Sequence, residues 1–416
     1  MKRLRIRNFG PLREGLIENE GWIDFSRVTV LVGNQGAGKS SVAKLFSTFS
    51  WIEKALVRGD YEKKWFERKN RLRNQFLTYH RLENYFELDP SDATEIDYEG
   101  DAYHISYRRG QLSMIEQKDK DYHLPQIMYV PAERNFIAYV RSPKELKLSS
   151  DSLKEFLTEF DGAKLSIKGP VELPLGAVEL LYDRQNDILS IKDESYKLRL
   201  TDASSGFQSL VPLFLVSQHL SNTVVERSES DRNSMTADEV ERFKKGVNTI
   251  FSNMSLTEEQ KRVALSVLSS RFNKTAFINI VEEPEQNLFP TSQWSILKSL
   301  LGFNNRTDNN TLVLTTHSPY IVNYLSLAIQ AKNLSEKILL QHGQNSPLLK
   351  KLEDIVEPQA RVQGSDVAVY QLDDHEGTIS RLPVFDGIPS DRNYLNDTLR
   401  KGNQLFDKLL ELESEL

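Results

Sequence analysis

Residues 28–46 read VTVLVGNQGAGKSSVAKLF. Val28 to Val32 is an apolar run of strand length, and Val42, Leu45, Phe46 and Phe49 then recur at i, i+3, i+4 and i+7, the spacing of an amphipathic helix. Between them Gly33-x4-Gly38-Lys39-Ser40 completes a P-loop pattern in the context the pattern requires, after a buried strand and opening a helix. Its glycines let backbone N–H groups face phosphate oxygens. The predicted nucleotide-binding segment is therefore Gly33, Asn34, Gln35, Gly36, Ala37, Gly38, Lys39, Ser40 and Ser41, with Lys39 neutralising phosphate charge and the Ser40 hydroxyl on Mg²⁺.

A P-loop needs acid from a second strand end. Residues 277–290, FINIVEEPEQNLFP, place Glu282, Glu283 and Glu285 around a proline where an apolar run stops. Carboxylates there cost desolvation energy unless something cationic or protic meets them. Glu282 is the expected holder of the magnesium shell, and Glu283 the residue that orients or deprotonates the attacking water. A further apolar run, TLVLTT at 311–316, delivers His317, expected to contact the γ-phosphate or that water. In ASSGFQS at 203–209, Ser204 and the Gly206 backbone open a helix whose N–H groups suit an anion.

Composition bounds the remainder. With 416 residues, 39% hydrophobic and 27% charged, the chain can build one large or two moderate cores. The absence of cysteine excludes disulfides, thiolate nucleophiles, Fe–S clusters and Cys-zinc sites, so the cytoplasm is the default. The N-terminus MKRLRIRNFGPL lacks an apolar signal-peptide core, and no window approaches the roughly 18 apolar residues of a membrane span. A net charge of −6 argues against uniform coating by nucleic acid.

Along the chain, 2–9 and 21–32 read as strands, 53–87 as a charged helical stretch and 94–116 as an antiparallel meander. QIMYV ends at PAERN, another apolar strand tipped with charge. Residues 143–160 read as helix, 177–200 as short strands, and 210–220 as apolar helix. Residues 221–235 read as an exposed loop and 236–271 as helical, with capping boxes at Thr236/Glu239 and Thr257/Gln260. The last part reads as a hairpin, VAVYQL and TISRL, then a helix from about Asp391 with Leu395, Leu399, Phe406 and Leu409 on one face.

In this order, GNQGAGKS, ASSGFQS, VEEPEQNLFP and TTHSPY resemble the Walker A, signature, Walker B/D-loop and switch-histidine motifs of ABC-type ATPases. The opening LRIRNFGPL and the E-E-P-E-x-x-L-x-P pattern are similar to the SMC/RecF/OLD-like branch of bacterial DNA maintenance and anti-phage defence, as are YVPAERN and DGIPSDRNYLND. The resemblance implies an α/β P-loop ABC-type ATPase with a mixed β-sheet core and an inserted helical lobe. It implies ATP and Mg²⁺ as ligands, and a homodimer or higher homo-oligomer in which Lys39, Ser40, Glu282, Glu283 and His317 of one subunit face Ser204 and Gly206 of the other. Residues 1–140 and 276–416 are the expected halves of the ATPase domain, and 141–275 the helical lobe bearing the signature. Two departures stand out: Glu282 replaces the usual aspartate, and Ser205 and Phe207 replace the usual Gly and Gln or Glu. Gln126 is the candidate Q-loop glutamine.

The expected role is a soluble ATPase controlling a separate effector, such as a nuclease, in phage defence. One alternative is a RecF-like repair ATPase that contacts DNA or RNA through the basic stretch 63–73; another is the nucleotide-binding subunit of a membrane transporter. For 63–73 the competing reading is a solvated insertion with Trp65 and Phe66 packed inward.

Overall fold

The computed structural model describes residues 1–86, 93–117, 122–140, 148, 150–229, 237–253, 256–270 and 273–415. Alternation at the N-terminus and the apolar run before the glycine loop produce strands of two different sheets. β1 (Lys2–Arg7) pairs antiparallel with β3 (Trp22–Phe25) and with β5 (Glu95–Glu99), and β6 (Tyr103–Arg108) and β7 (Gln111–Glu116) extend that sheet. Leu4 and Ile6 point inward, while Arg3 pairs with Glu99 and Arg5 with Asp97. The chain turns at Ser26 and Arg27, so residues 21–32 are divided between sheets rather than forming one strand.

The second sheet has seven strands in the order β2 (Gly15–Leu16), β16 (Thr378–Arg381), β15 (Val367–Leu372), β4 (Val28–Gly33), β14 (Thr311–Thr316), β13 (Ala276–Glu282) and β8 (Pro125–Val130). β15, β4, β14, β13 and β8 run parallel, and β16 joins β15 antiparallel, which makes the sheet mixed. Every residue of β4, β13 and β8 is buried, as expected for a parallel sheet covered on both faces. Because five adjacent strands run parallel, their carboxyl ends share one edge, where α/β sheets place ligands. A small antiparallel sheet of β9 (Val171–Glu172), β10 (Glu179–Asp183), β11 (Ile188–Lys192) and β12 (Lys197–Arg199) and a ribbon of β17 (Val384–Phe385) and β18 (Ile388–Pro389) complete the strands described.

Between the two larger sheets lies α1 (Lys39–Arg58). Its Val42, Leu45, Phe46, Phe49 and Ile52 are fully buried against both sheets, and Phe46 stacks on Phe25 at 3.8 Å. Each such side chain contributes about 1.5–3 kcal/mol relative to exposure. The opposite face of the central sheet is covered by α4 (Asp151–Ser166), α5 (Ser205–Glu229), α8 (Pro290–Asn304) and α9 (Pro319–His342). α2 (Lys63–Phe66), α3 (Asn135–Tyr139), the contacting pair α6 (Ala237–Ser252) and α7 (Glu258–Ser270), α10 (Pro347–Glu353) and α11 (Tyr394–Ser414) are the other α-helices described.

Three expectations need correction. The stretch 53–87 is helical only in pieces: α1 stops where Gly59 turns left-handed, and α2, a π-helical turn (Leu72–Phe76) and a 3₁₀ turn (Thr78–His80) follow, residue 87 lying outside those described. The reason is local aromatic packing, since Tyr61, Trp65, Phe66 and Phe76 meet ring to ring around the buried Phe66. The loop expected at 221–235 is helical through Glu229, because Leu220 and Val224, one turn apart, are both buried and keep α5 docked; residues 230–236 lie outside those described. The helix expected at 143–160 begins at Asp151, where the Ser150 hydroxyl accepts from the Leu153 N–H; residues 141–147 and 149 also lie outside. The Thr257/Gln260 capping box forms reciprocally, whereas Thr236 is not among the described residues. Among the described residues no helix is long and apolar enough to cross a membrane.

Candidate active site

Parallel register brings the sequence motifs to adjacent strand tips. Gly33 ends β4, and its left-handed φ of 152° is one only glycine tolerates easily; a Cβ there would lie 2.6 Å from the Leu372 carbonyl oxygen of β15. Gly38 (φ 96°) precedes α1, and a Cβ there would strike the Leu12 and Pro11 side chains. Asn34, Gln35 and Gly36 are exposed, Ala37, Gly38, Lys39 and Ser41 are buried, and Ser40 is half-buried. The Lys39 ammonium donates to the Gly33 and Asn34 carbonyls at 2.9 and 2.7 Å. Burial lowers its pKa to about 8, against the opposing fields of Glu283, Glu285, Asp374 and Glu282.

β13 delivers Glu282 and Glu283 to opposite surroundings. Glu282 is buried: one carboxylate oxygen accepts from the Ala132 N–H at 3.2 Å, and the other has no hydrogen-bond partner and lies 3.9 Å from the Lys44 ammonium. A buried carboxylate oxygen with no hydrogen bond and a cation already beside it suits a cationic partner such as Mg²⁺. Glu283 turns out of the strand at φ 44° and is half-exposed, its N–H bound to the Thr315 carbonyl at 2.9 Å. The His317 hydrogen bond holds its carboxyl below the usual carboxylate range, more than offsetting desolvation.

His317 stands between Lys39 and Glu283. Its Nδ1 is 3.4 Å from the Lys39 ammonium and its Nε2 is 3.5 Å from Glu283 Oε1. The neutral tautomer with the proton on Nε2 satisfies both, because Nδ1 then accepts and Nε2 donates. Its backbone N–H is held by half-buried Glu285 Oε1 at 2.7 Å, and desolvation pushes the Glu285 carboxyl upward. Ser318 caps α9 through the Tyr320 N–H and donates to Gln293, fixing the strand exit. A cavity of about 790 Å³ at this edge is lined by Lys39, Ser40, Lys44, Glu283 and His317, with Asn84 to Phe86 on its far wall. That volume is within the range of nucleotide-sized sites.

Ser204 and Gly206 do not line this cavity. Ser204 is exposed just before α5, and Gly206 packs against the 283–288 turn, where a Cβ would lie 3.0 Å from the Asn287 carbonyl oxygen. Asn287 donates to the Ser209 hydroxyl at 2.9 Å, tying that turn to the first turns of α5. Gln126 is no part of the site: it pairs with Phe277 at the opposite end of β13 from Glu282, so the Q-loop expectation fails for it. The tip of β8 carries Pro131 to Arg134 instead.

Arg134, at the tip of β8, is a site residue that the sequence motifs do not single out. It is fully buried and donates to four backbone carbonyls: Glu282 and Glu283 at 2.6 Å each, Ser209 at 3.1 Å and Pro131 at 3.3 Å. Burial lowers its pKa to about 10, so it stays cationic at neutral pH. Lys44, Glu285 and Asn84 to Phe86 were likewise not singled out for roles. Lys44 had a readable signal, lying one helical turn beyond Ser40; the far wall had none, because it comes from a distant segment.

No family model matches this chain, and no curated protein matches its sequence. Solved structures to which it aligns include the SMC head domain from Thermotoga maritima, 12% identical over 92% of this chain and 98% of that one, with a TM-score of 0.38. A second is an Smc head domain with an extended coiled coil bound to the C-terminal domain of ScpA, derived from Pyrococcus furiosus, 11% identical over 98% and 100%, TM-score 0.35. A third is a dimeric ATP-binding cassette in a post-hydrolysis state bound to ADP and Pi, 11% identical over 92% and 100%, TM-score 0.28. At these scores the likenesses carry no weight for mechanism, which rests on the chain's own groups.

Proposed function

We propose that this chain is an ABC-type ATPase that hydrolyses ATP to ADP and phosphate between two copies of itself. The observation that carries the reading is the convergence of Lys39, Glu283 and His317 on one cavity at adjacent parallel strand tips. Loop N–H groups and Lys39 bind the triphosphate, Glu283 takes a proton from the attacking water, and His317 orients Glu283 while sensing the γ-phosphate. Ser40 and Glu282 would hold Mg²⁺, which when bound would supply positive charge beside the transferred phosphoryl group. Ser204 and Gly206, which do not line their own cavity, serve the nucleotide of the second copy.

Residues 1–140 and 276–416 form the nucleotide-binding halves in this reading, and 141–275 the lobe that presents the signature. By its resemblance to the SMC/RecF/OLD-like branch, the assembled dimer or larger homo-oligomer controls a separate effector in the cytoplasm, in anti-phage defence. The test is to add the product of the adjacent gene to the ATP-locked assembly and assay nuclease activity. Direct nucleic-acid binding through 63–73 is not favoured, since Phe66 is buried and Arg71 covers Trp65 at 4.4 Å.

Two outcomes follow from the charges. Lys39 near pKa 8 is only partly protonated at pH 8, and the triphosphate raises its pKa, so binding takes up protons at pH 8. Calorimetry in buffers of different ionisation enthalpy reads this uptake, which disappears in Lys39→Met. His317→Ala leaves Glu283 without its hydrogen-bond donor and lowers kcat about 10- to 100-fold with little change in ATP affinity, checked by single-turnover hydrolysis.

A further inference from the structure

The helix expected from about Asp391 does form, and beyond its first turn its apolar face is left exposed by the described residues. Asn393 caps it, and Leu395 packs on the main core. From Thr398 to Glu415 every residue is exposed, including Leu399, Leu405, Phe406, Leu409, Leu410 and Leu412. Leu405, Phe406 and Leu409 are 61%, 61% and 62% exposed. On a helical wheel, Leu405, Leu409 and Leu412 recur at spacings of four and three with Phe406 beside them, an arc of less than half the circumference. Asp407, Arg400, Glu411, Lys408 and Glu415 occupy the opposite arc, and Glu413 falls between Leu409 and Phe406. A single amphipathic helix gains little in water without a surface for its apolar face.

Charge is distributed unequally along this helix. In its first half Asp397, Arg400 and Lys401 leave a net charge of +1, with Arg400 paired to Asp397 at 2.9 Å and to Asp391 at 3.4 Å, whereas Glu411, Glu413 and Glu415 make its last turns acidic. Two copies laid parallel would stack like charge on like. Laid antiparallel, the basic half of each faces the acidic end of the other while the leucine faces meet, which is self-complementary about a two-fold axis.

We propose that α11 is a homotypic docking surface, pairing antiparallel with α11 of a second copy, independent of nucleotide. The pair is separate from the ATP-dependent contact proposed above, so a chain with both surfaces assembles beyond a dimer when ATP is bound.

The absence of cysteine makes the test direct. In the protein without nucleotide, Lys401→Cys mixed with Glu413→Cys or Glu415→Cys forms a mixed disulfide, whereas each variant alone does not crosslink. Wild type sediments as a dimer at micromolar concentration, and Leu405→Glu/Leu409→Glu, which touches no buried residue, sediments as a monomer. That double variant still forms a dimer when ATP is added in the Glu283→Gln background, which separates failure of this surface from failure of the ATPase reading. Nucleotide-free wild type sedimenting as a monomer, a dimer unaffected by the double variant, or crosslinking of each cysteine only to itself overturns the proposal.

Discussion

Glu283→Gln is expected to reduce steady-state ATP hydrolysis by about 10²- to 10⁴-fold while leaving ATP binding intact. The carboxyl is held below its usual range chiefly by the His317 hydrogen bond, so it is ionised and able to accept a proton at neutral pH. Glutamine keeps the size and the contact to His317 and removes only the basic oxygen. The backbone is pinned from both sides, by its N–H on the Thr315 carbonyl and by its own carbonyl on Arg134, so the amide occupies the same place. ATP is then bound and not consumed, and the variant accumulates as a larger species in Mg-ATP. Phosphate release and sedimentation measure both parts. Hydrolysis near the wild-type rate would remove Glu283 as the base.

The second large effect is on stability. Arg134→Met removes the donor to four carbonyls at the junction of β8, β13 and α5, and a buried carbonyl left unpaired costs about 1–3 kcal/mol. Some of the four regain partners, so the expected loss is about 3–5 kcal/mol, read from urea unfolding. Arg134→Lys keeps the charge but cannot span Ser209 and Glu283 together, and is expected to fold with intermediate stability. Because the Glu283 carbonyl is one of those released, Arg134→Lys also hydrolyses ATP more slowly while binding it normally. Unfolding equal to wild type in Arg134→Met would show that the junction is held by other contacts.

The P-loop was legible because its signal is local: an apolar strand, glycines at fixed offsets and a 3.6-residue periodicity lie within twenty residues, and β4 and α1 follow them closely. Glu282, Glu283 and His317 were legible for a related reason, since each follows an apolar run whose end the sequence marks. Arg134 carried the same strand-tip signal, but its partners are carbonyls of two remote segments, and backbone acceptors leave no trace in sequence. Gln126 misled because residue type alone suggested it; parallel register, which the sequence does not display, puts it at the far end of its strand. The stretch 53–87 misled because dense charge looks helical, whereas ring-to-ring packing of Trp65, Phe66 and Phe76 bends the chain.

The claim at the centre of the account is that each nucleotide is completed in trans by Ser204 and Gly206. Glu283→Gln and Ser204→Arg each disable both sites of a homodimer, the first through the base and the second through the signature. Mixed before ATP is added, they form a heterodimer with one site that combines an intact Glu283 with an intact Ser204. The measurement is phosphate release from the mixture compared with the sum of the two separate proteins. Recovery of hydrolysis well above that sum is the predicted result; a mixture no more active than its parts would contradict completion of the site by a second copy.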